Sequence, residues 1–149
     1  MTITSNPRVE EIRRRVRLSY NELDQLLDSL ATIDTTRIYQ SPSSGEWTIM
    51  ENLAHIIEFL PYWGKEIAQL VAHPGLNFGR TQQDEGRLRG IAEHKSDSLA
   101  QVKETLPESY EHLDKVLRQL RDSDLELMGH HSTMGEQKLG WFKIGRAHV

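Results

Sequence analysis

A chain of 149 residues with 37% hydrophobic and 27% charged side chains has the size and composition of one globular domain. Its net charge of −4 offers no basis for a nucleic-acid interface, and with no cysteine it excludes disulfides, thiolate metal sites and a Cys nucleophile. The seven histidines are left as candidates for metal binding or proton transfer.

The start of the chain, Met1 to Pro7, is polar and lacks the apolar core of a signal peptide. A first helix is predicted next. Val9, Ile12, Val16, Tyr20, Leu23, Leu26, Leu27 and Leu30 recur at three- and four-residue steps and form one apolar stripe. Asn6 is placed to act as its N-cap and Pro7 to fill its first turn. Arg13, Arg14, Arg15 and Arg17 lie within helical reach of Glu10, Glu11 and Glu22, which reads as a solvated charged face or, alternatively, as a site for an anion.

Thr36 to Glu46 is rich in Ser, Pro and Gly and reads as a loop. Thr48 and Glu51 have the spacing of a capping box, and an apolar pattern from Ile49 to Val71 predicts a second helix behind it. Pro61 lies inside that pattern and is expected to bend it. Its most apolar stretch, Leu53 to Leu60, is interrupted by His55 and Glu58 and is too short to span a membrane. No membrane partner and a cytoplasmic location are therefore the expectation.

His73 to Gly90 reads as a long loop, with a short helical turn as an option within it, of the kind that often carries function. Ser96 to Ser98 then offers caps for a third helix, whose stripe runs from Leu99 through Leu120 with a kink expected at Pro107. Asp122 to Gly135 reads as a connection, and a fourth apolar pattern begins near Leu139 with Trp141, Phe142 and Ile144. No strand alternation or internal repeat is visible. Amphipathic helices of this kind need one another's apolar faces, so the expected fold is all-α, an up-and-down four-helix bundle.

Among the histidines, His55 stands out. It lies four residues after Glu51 on one helical face, at the edge of the apolar stripe. On these facts alone it is either a hydrogen-bonded core histidine or a metal ligand. His73 and His94 border the long loop, and His112 falls among charged neighbours. His130 and His131 are adjacent, so their side chains point apart and are not expected to share a metal. No Glu-x-x-His pair and no His-Glu-x-x-His motif occurs, which disfavours a ferritin-type di-iron site and the common zinc-protease site. Glycines occur singly, so no phosphate loop is supported. Trp47, Trp63 and Trp141 read as core anchors.

The run from Trp47 through Thr48, Glu51 and His55 resembles the second-helix motif of the DinB-like superfamily. The run Phe78-Gly79-Arg80-Thr81, followed by Asp84, Arg87 and His94, is similar to the loop of one branch of that superfamily. Gly135-Glu136, leading to Leu139, Trp141 and Phe142, is similar to the start of its fourth helix. The resemblance implies a four-helix bundle carrying a three-histidine metal site. One ligand comes from helix two, at the position of His55, and two come from a His-x-x-x-His pair on helix four. Three neutral imidazoles with open coordination positions suit zinc, nickel or iron. Glu51 would then be a supporting group that orients His55.

The chain departs from this pattern, because no His-x-x-x-His occurs in it. Residues 144–149 read as the translated start of a sequencing adapter. The expected organisation is a bundle domain over residues 1–143, truncated early in helix four, with a non-native tail over 144–149. The functional expectation is a metal-dependent enzyme that couples low-molecular-weight thiols to electrophiles, or a related hydrolase. The alternative is a non-catalytic bundle for binding or dimerisation, without metal. The divalent metal belongs to the intact parent, and the truncated chain is expected to bind none tightly and to form homodimers through the vacated groove.

Overall fold

The computed structural model describes residues 6–80, 83–131 and 135–141. Among these residues are four α-helices: α1 (Pro7–Leu30), α2 (Ile49–Ala72), α3 (Glu85–His94) and α4 (Leu99–Arg118). Three short strands accompany them: β1 (Asn77–Phe78), β2 (Met128–His131) and β3 (Gly135–Lys138). The helical bundle expected from the apolar stripes is present. α4 packs against both α1 and α2, and α3 packs against α2.

Side-chain pairs fix the helix directions. Arg13 near the start of α1 meets Asp114 near the end of α4, while Lys103 near the start of α4 meets Asp28 near the end of α1. These two helices are therefore antiparallel. Met50 and Leu53 of α2 share a cluster with Val102 and Leu106, and Ile67 and Leu70 share one with Leu113 and Leu117, so α2 and α4 run in the same direction. The segment from His73 to Ser98, with α3 inside it, carries the chain back along α2 between them.

The core comprises two stacked clusters among the described residues. One holds Leu27, Ile38, Met50, Leu53, Val102 and Leu106, and the other holds Val9, Ile67, Leu70, Phe78, Leu113 and Leu117. Each large aliphatic or aromatic side chain so buried contributes about 1.5–3 kcal/mol. The stripe read for α1 is narrower than expected, because Leu26 remains 49% exposed beside the fully buried Leu27. The Arg run also divides. Arg14 and Arg15 both bond the exposed Glu11 and hold its carboxyl down at about 2. Arg13 instead turns inward to Asp114 at 3.0 Å, with the two side chains 15% and 8% exposed.

Two backbone ends are closed in ways the sequence conceals. Asn6 makes no side-chain cap to α1. The carboxylate of Asp122, far along the chain, accepts from the N–H groups of Arg8 and Val9 at 3.1 and 2.9 Å, and Asn6 Oδ1 accepts from the Asp122 N–H in return. In α2, Pro61 has no N–H to donate to the carbonyl four residues earlier, that of Ile57. The buried Ser109 hydroxyl of α4 donates to that carbonyl at 3.1 Å. α2 continues through Pro61, and α4 continues through Pro107.

The strands correct the expectation of a strandless chain and of plain loop connections at 73–90 and 122–135, and α3 starts inside the first of them. β1 pairs parallel with β2 in the register Asn77 to His130, and β2 pairs antiparallel with β3 in the register Met128 to Lys138. Strands of two to four residues are too short to display an alternating pattern, which is why sequence periodicity missed them. Leu139, expected to begin a truncated fourth helix, instead enters a 3-10 turn over Leu139–Trp141. It is buried, and its N–H bonds the Leu127 carbonyl at 2.7 Å. Phe142 and the expected tail over 144–149 lie outside the described residues. No helix among those described is long and apolar enough to cross a membrane.

Ser109→Ala is expected to cost about 1–3 kcal/mol in urea unfolding, because it strands a buried carbonyl. In a Pro61→Ala background, where residue 61 regains its N–H, the same change is expected to cost less than about 1 kcal/mol. Equal costs in the two backgrounds would refute the compensation. Asp122→Ala is expected to lose about 1–2 kcal/mol through the α1 cap, whereas Thr36→Ala on an exposed turn serves as the near-neutral control.

Candidate functional site on the second helix

The capping box that starts α2 forms as predicted. Thr48 Oγ1 accepts from the Glu51 N–H at 3.0 Å, and Glu51 Oε1 accepts from the Thr48 N–H at 3.1 Å. The Glu51 carboxylate, expected to orient His55, has this cap as its observed partner. One turn further on, His55 is half-buried with its Nδ1 shielded from solvent. Its ring stacks on Phe59 at 5.3 Å between centroids and receives Trp47 edge-on at 5.5 Å. Trp47 is thus a wall of the His55 site. The Arg87 guanidinium of α3 lies over the outer side of Trp47, 5.2 Å from a ring centroid.

Beyond His55 the same side of α2 turns polar. Glu58, Tyr62 and Glu66 follow at four-residue steps and meet the turn after β1. Arg80 forms a two-pronged ion pair with Glu58, both N–O distances being 2.5 Å. Its guanidinium also lies 3.7 Å from the centroid of the Tyr62 ring. A third group, Asp84, is 3.9 Å from it and caps α3 by accepting the Arg87 N–H at 3.0 Å. Arg80 and Glu58 are only 11% and 13% exposed.

Glu66 binds Tyr62 and the Gly79 N–H. Burial pushes its carboxyl above the ordinary glutamate value, against the pull of those bonds and of Arg80. Burial likewise pushes the Tyr62 phenol up, helped by the charge of Glu66. Two glycines permit this arrangement. Gly79 has φ +82°, a left-handed conformation that favours glycine, and His131 packs against it. A Cβ on Gly90 would fall 2.2 Å from Glu58 Cγ, so any side chain there would push α3 away from α2.

The other histidines are dispersed. His73 lies exposed at the end of α2, and His112 is exposed on α4. His94 bonds Asp97 through Nδ1 at 2.7 Å. His130 bonds Glu136 at 3.0 Å on the open side of β2, while His131 turns to Phe78 on the other side, as neighbours on a strand must. Burial and the charge of His130 push the His131 imidazole down from its ordinary value. Among the described residues no three His, Cys, Asp or Glu side chains group so as to hold a metal ion. His55 has no such set around it, and His148 lies outside the described residues.

Sequence reasoning missed Glu58, Tyr62 and Glu66. The signal that would have found them is their four-residue spacing, a polar stripe opposite the apolar one.

The comparisons with known proteins agree with this fold. A family model described as the DinB superfamily matches residues 10–149. No curated protein matches the chain. The structure of YfiT from Bacillus subtilis, described as "a probable metal-dependent hydrolase with an unusual four-helix bundle topology", is similar at a TM-score of 0.71 and 14% identity. The similarity covers 93% of this chain and 77% of YfiT, and at that identity it establishes the fold alone.

Because the folded-state pKa of Glu66 is raised, the contribution of its protonated form is present at acid pH and lost as pH rises through that value. Glu66→Gln, which keeps an acceptor for the Gly79 N–H and carries no charge, is therefore expected to raise the melting temperature at pH 7 and leave it nearly unchanged at pH 4. An unchanged difference between the two pH values, read by thermal melts followed by circular dichroism, would contradict the raised pKa.

Proposed function

The chain belongs to the DinB superfamily, and from that premise we propose that its function centres on His55, as a metal-linked hydrolase or group-transfer site for a small electrophilic substrate. The observation that carries this reading is the placement of His55. It sits on α2 at the position where the superfamily resemblance puts a ligand, held between Trp47 and Phe59. The similarity to YfiT supports a divalent metal as the associated cofactor, with zinc, nickel or iron as the ions an imidazole favours. A low-molecular-weight thiol as co-substrate is the finer part of the proposal, since coordination lowers a thiol's pKa. A cytoplasmic location and a homodimer belong to the same reading.

The described residues do not themselves fit the ion. Glu51 serves the helix cap, Glu58 is paired with Arg80, and Glu66 is held by Tyr62 and Gly79. Within the described chain, His55 is the one position that the resemblance assigns as a ligand. The same observation favours a second reading, in which the domain is a non-catalytic binding or dimerisation bundle and His55 is an aromatic-packed core histidine.

Metal analysis by plasma mass spectrometry separates the two. Under the first reading the intact parent, carrying the helix-four histidine pair that the resemblance implies and supplied with zinc, nickel or iron, is expected to retain about one equivalent, and His55→Ala in it is expected to lose it. Equal retention by both proteins would remove His55 as a ligand. No retention by either, with the fold intact, would favour the second reading.

A further inference from the structure

The contacts around His55 form a closed circuit between α2 and α3. Trp47 packs edge-on against the imidazole, and Arg87 of α3 covers Trp47. The Arg87 N–H is held by Asp84, the N-cap of α3, and Asp84 lies beside Arg80. Arg80 returns the circuit to α2 through Glu58 and Tyr62. Glu58 in turn packs directly under Gly90 of α3, where no side chain would fit. Near the middle of α3 is Ile91, which is buried. α3 has one buried apolar residue and ten residues in all, so packing alone fixes it weakly.

We propose that Arg80 is the positioning residue of the His55 site: through Glu58, Tyr62 and Asp84 it sets where α3 lies, and thereby how Trp47 and Arg87 close over the imidazole. The inference rests on His55 being the centre of the functional site. A guanidinium suits the task because its planar fork holds Glu58 with two parallel bonds while its face stacks on Tyr62. A lysine at this position would keep the charge and lose both the fork and the stack.

The test follows Trp47, which lies just ahead of α2, about three helical turns from Glu58 and about four from Tyr62. A local staple of the turn at Gly79 would leave it undisturbed. With Trp63→Phe and Trp141→Phe, Trp47 is the one remaining tryptophan emitter of the three. In this background Arg80→Ala is expected to raise the acrylamide quenching constant of Trp47 about twofold, through local opening of α3. Arg80→Lys is expected to behave like Arg80→Ala. Hydrogen exchange in α1 and α4 is expected to stay as in the parent. Unchanged quenching in Arg80→Ala, or full rescue by Lys, would overturn the proposal.

Removing one member of a shielded ion pair can unfold a domain, whereas replacing both members with apolar residues is often tolerated. If Arg80→Ala fails to fold, Glu58→Leu with Arg80→Met decides: raised quenching of Trp47 supports the positioning role, and parental quenching overturns it. The measurement is made on chelator-treated protein, so it stands apart from the metal reading. If the intact parent retains no metal while this chain opens at Trp47 when Arg80 is lost, the positioning role stands and the ligand assignment falls.

Discussion

A single hydroxyl stands in for the amide that Pro61 cannot supply. α2 lies between α4 on its apolar side and α3 on its polar side, and α1 joins the bundle chiefly through α4. A proline at its midpoint leaves the Ile57 carbonyl without its helical donor. Left bare in the core, that carbonyl would favour breaking the helix between Trp47 and Glu66, the span that carries the candidate site. Ser109 of α4 answers it from outside the helix and is itself buried. The register of α4 on α2 is thereby fixed by a polar contact inside an otherwise apolar interface. Apolar faces alone permit sliding by a turn; a hydroxyl that must meet one carbonyl does not.

The parts of the fold visible in the sequence are those with a repeating signal. The stripes of α1, α2 and α4 and the Thr48–Glu51 box are local, and they form where their spacing places them. What stayed hidden depends on partners remote in sequence. Asp122 caps α1 although Asn6 stands in the cap position, because only the folded chain brings residue 122 to that helix end. α3 was absorbed into an expected loop, since Gly86, Gly90 and a single buried Ile91 give no stripe. Arg13 and Arg14 are identical in type and adjacent, yet one is drawn to Asp114 and the other stays in solvent, a difference set by helical phase against α4. The placement of His55 one turn past the Thr48–Glu51 box was legible from local spacing, while the contacts of Arg80 required the geometry of the turn after β1.

The polar side of α2 concentrates ionisable groups where water is scarce. Shielded ion pairs rarely add much net stability, because desolvation offsets most of the attraction. Their effect is directional. Glu58 and Arg80 are satisfied in one arrangement and left uncompensated in others, so the pair selects a position for α3 more than it deepens the fold. Glu66, raised by the same burial, sits one turn past Tyr62 and bonds the backbone at Gly79. The site's surroundings are thus set by electrostatics, while the opposite side of the helix is set by packing.

The cap on α1 also bears on the order in which the molecule can be made. A helix begins with donors that need acceptors, and here the acceptor for Arg8 and Val9 is the carboxylate of a residue more than a hundred positions later. During synthesis the first turn of α1 emerges early and must wait, frayed, while α2, α3 and α4 are translated. Only when Asp122 leaves the ribosome can that turn be closed. Closure of α1 is therefore tied to synthesis of the chain through Asp122, and a ribosome stalled before that residue would display an α1 whose first turn is still open.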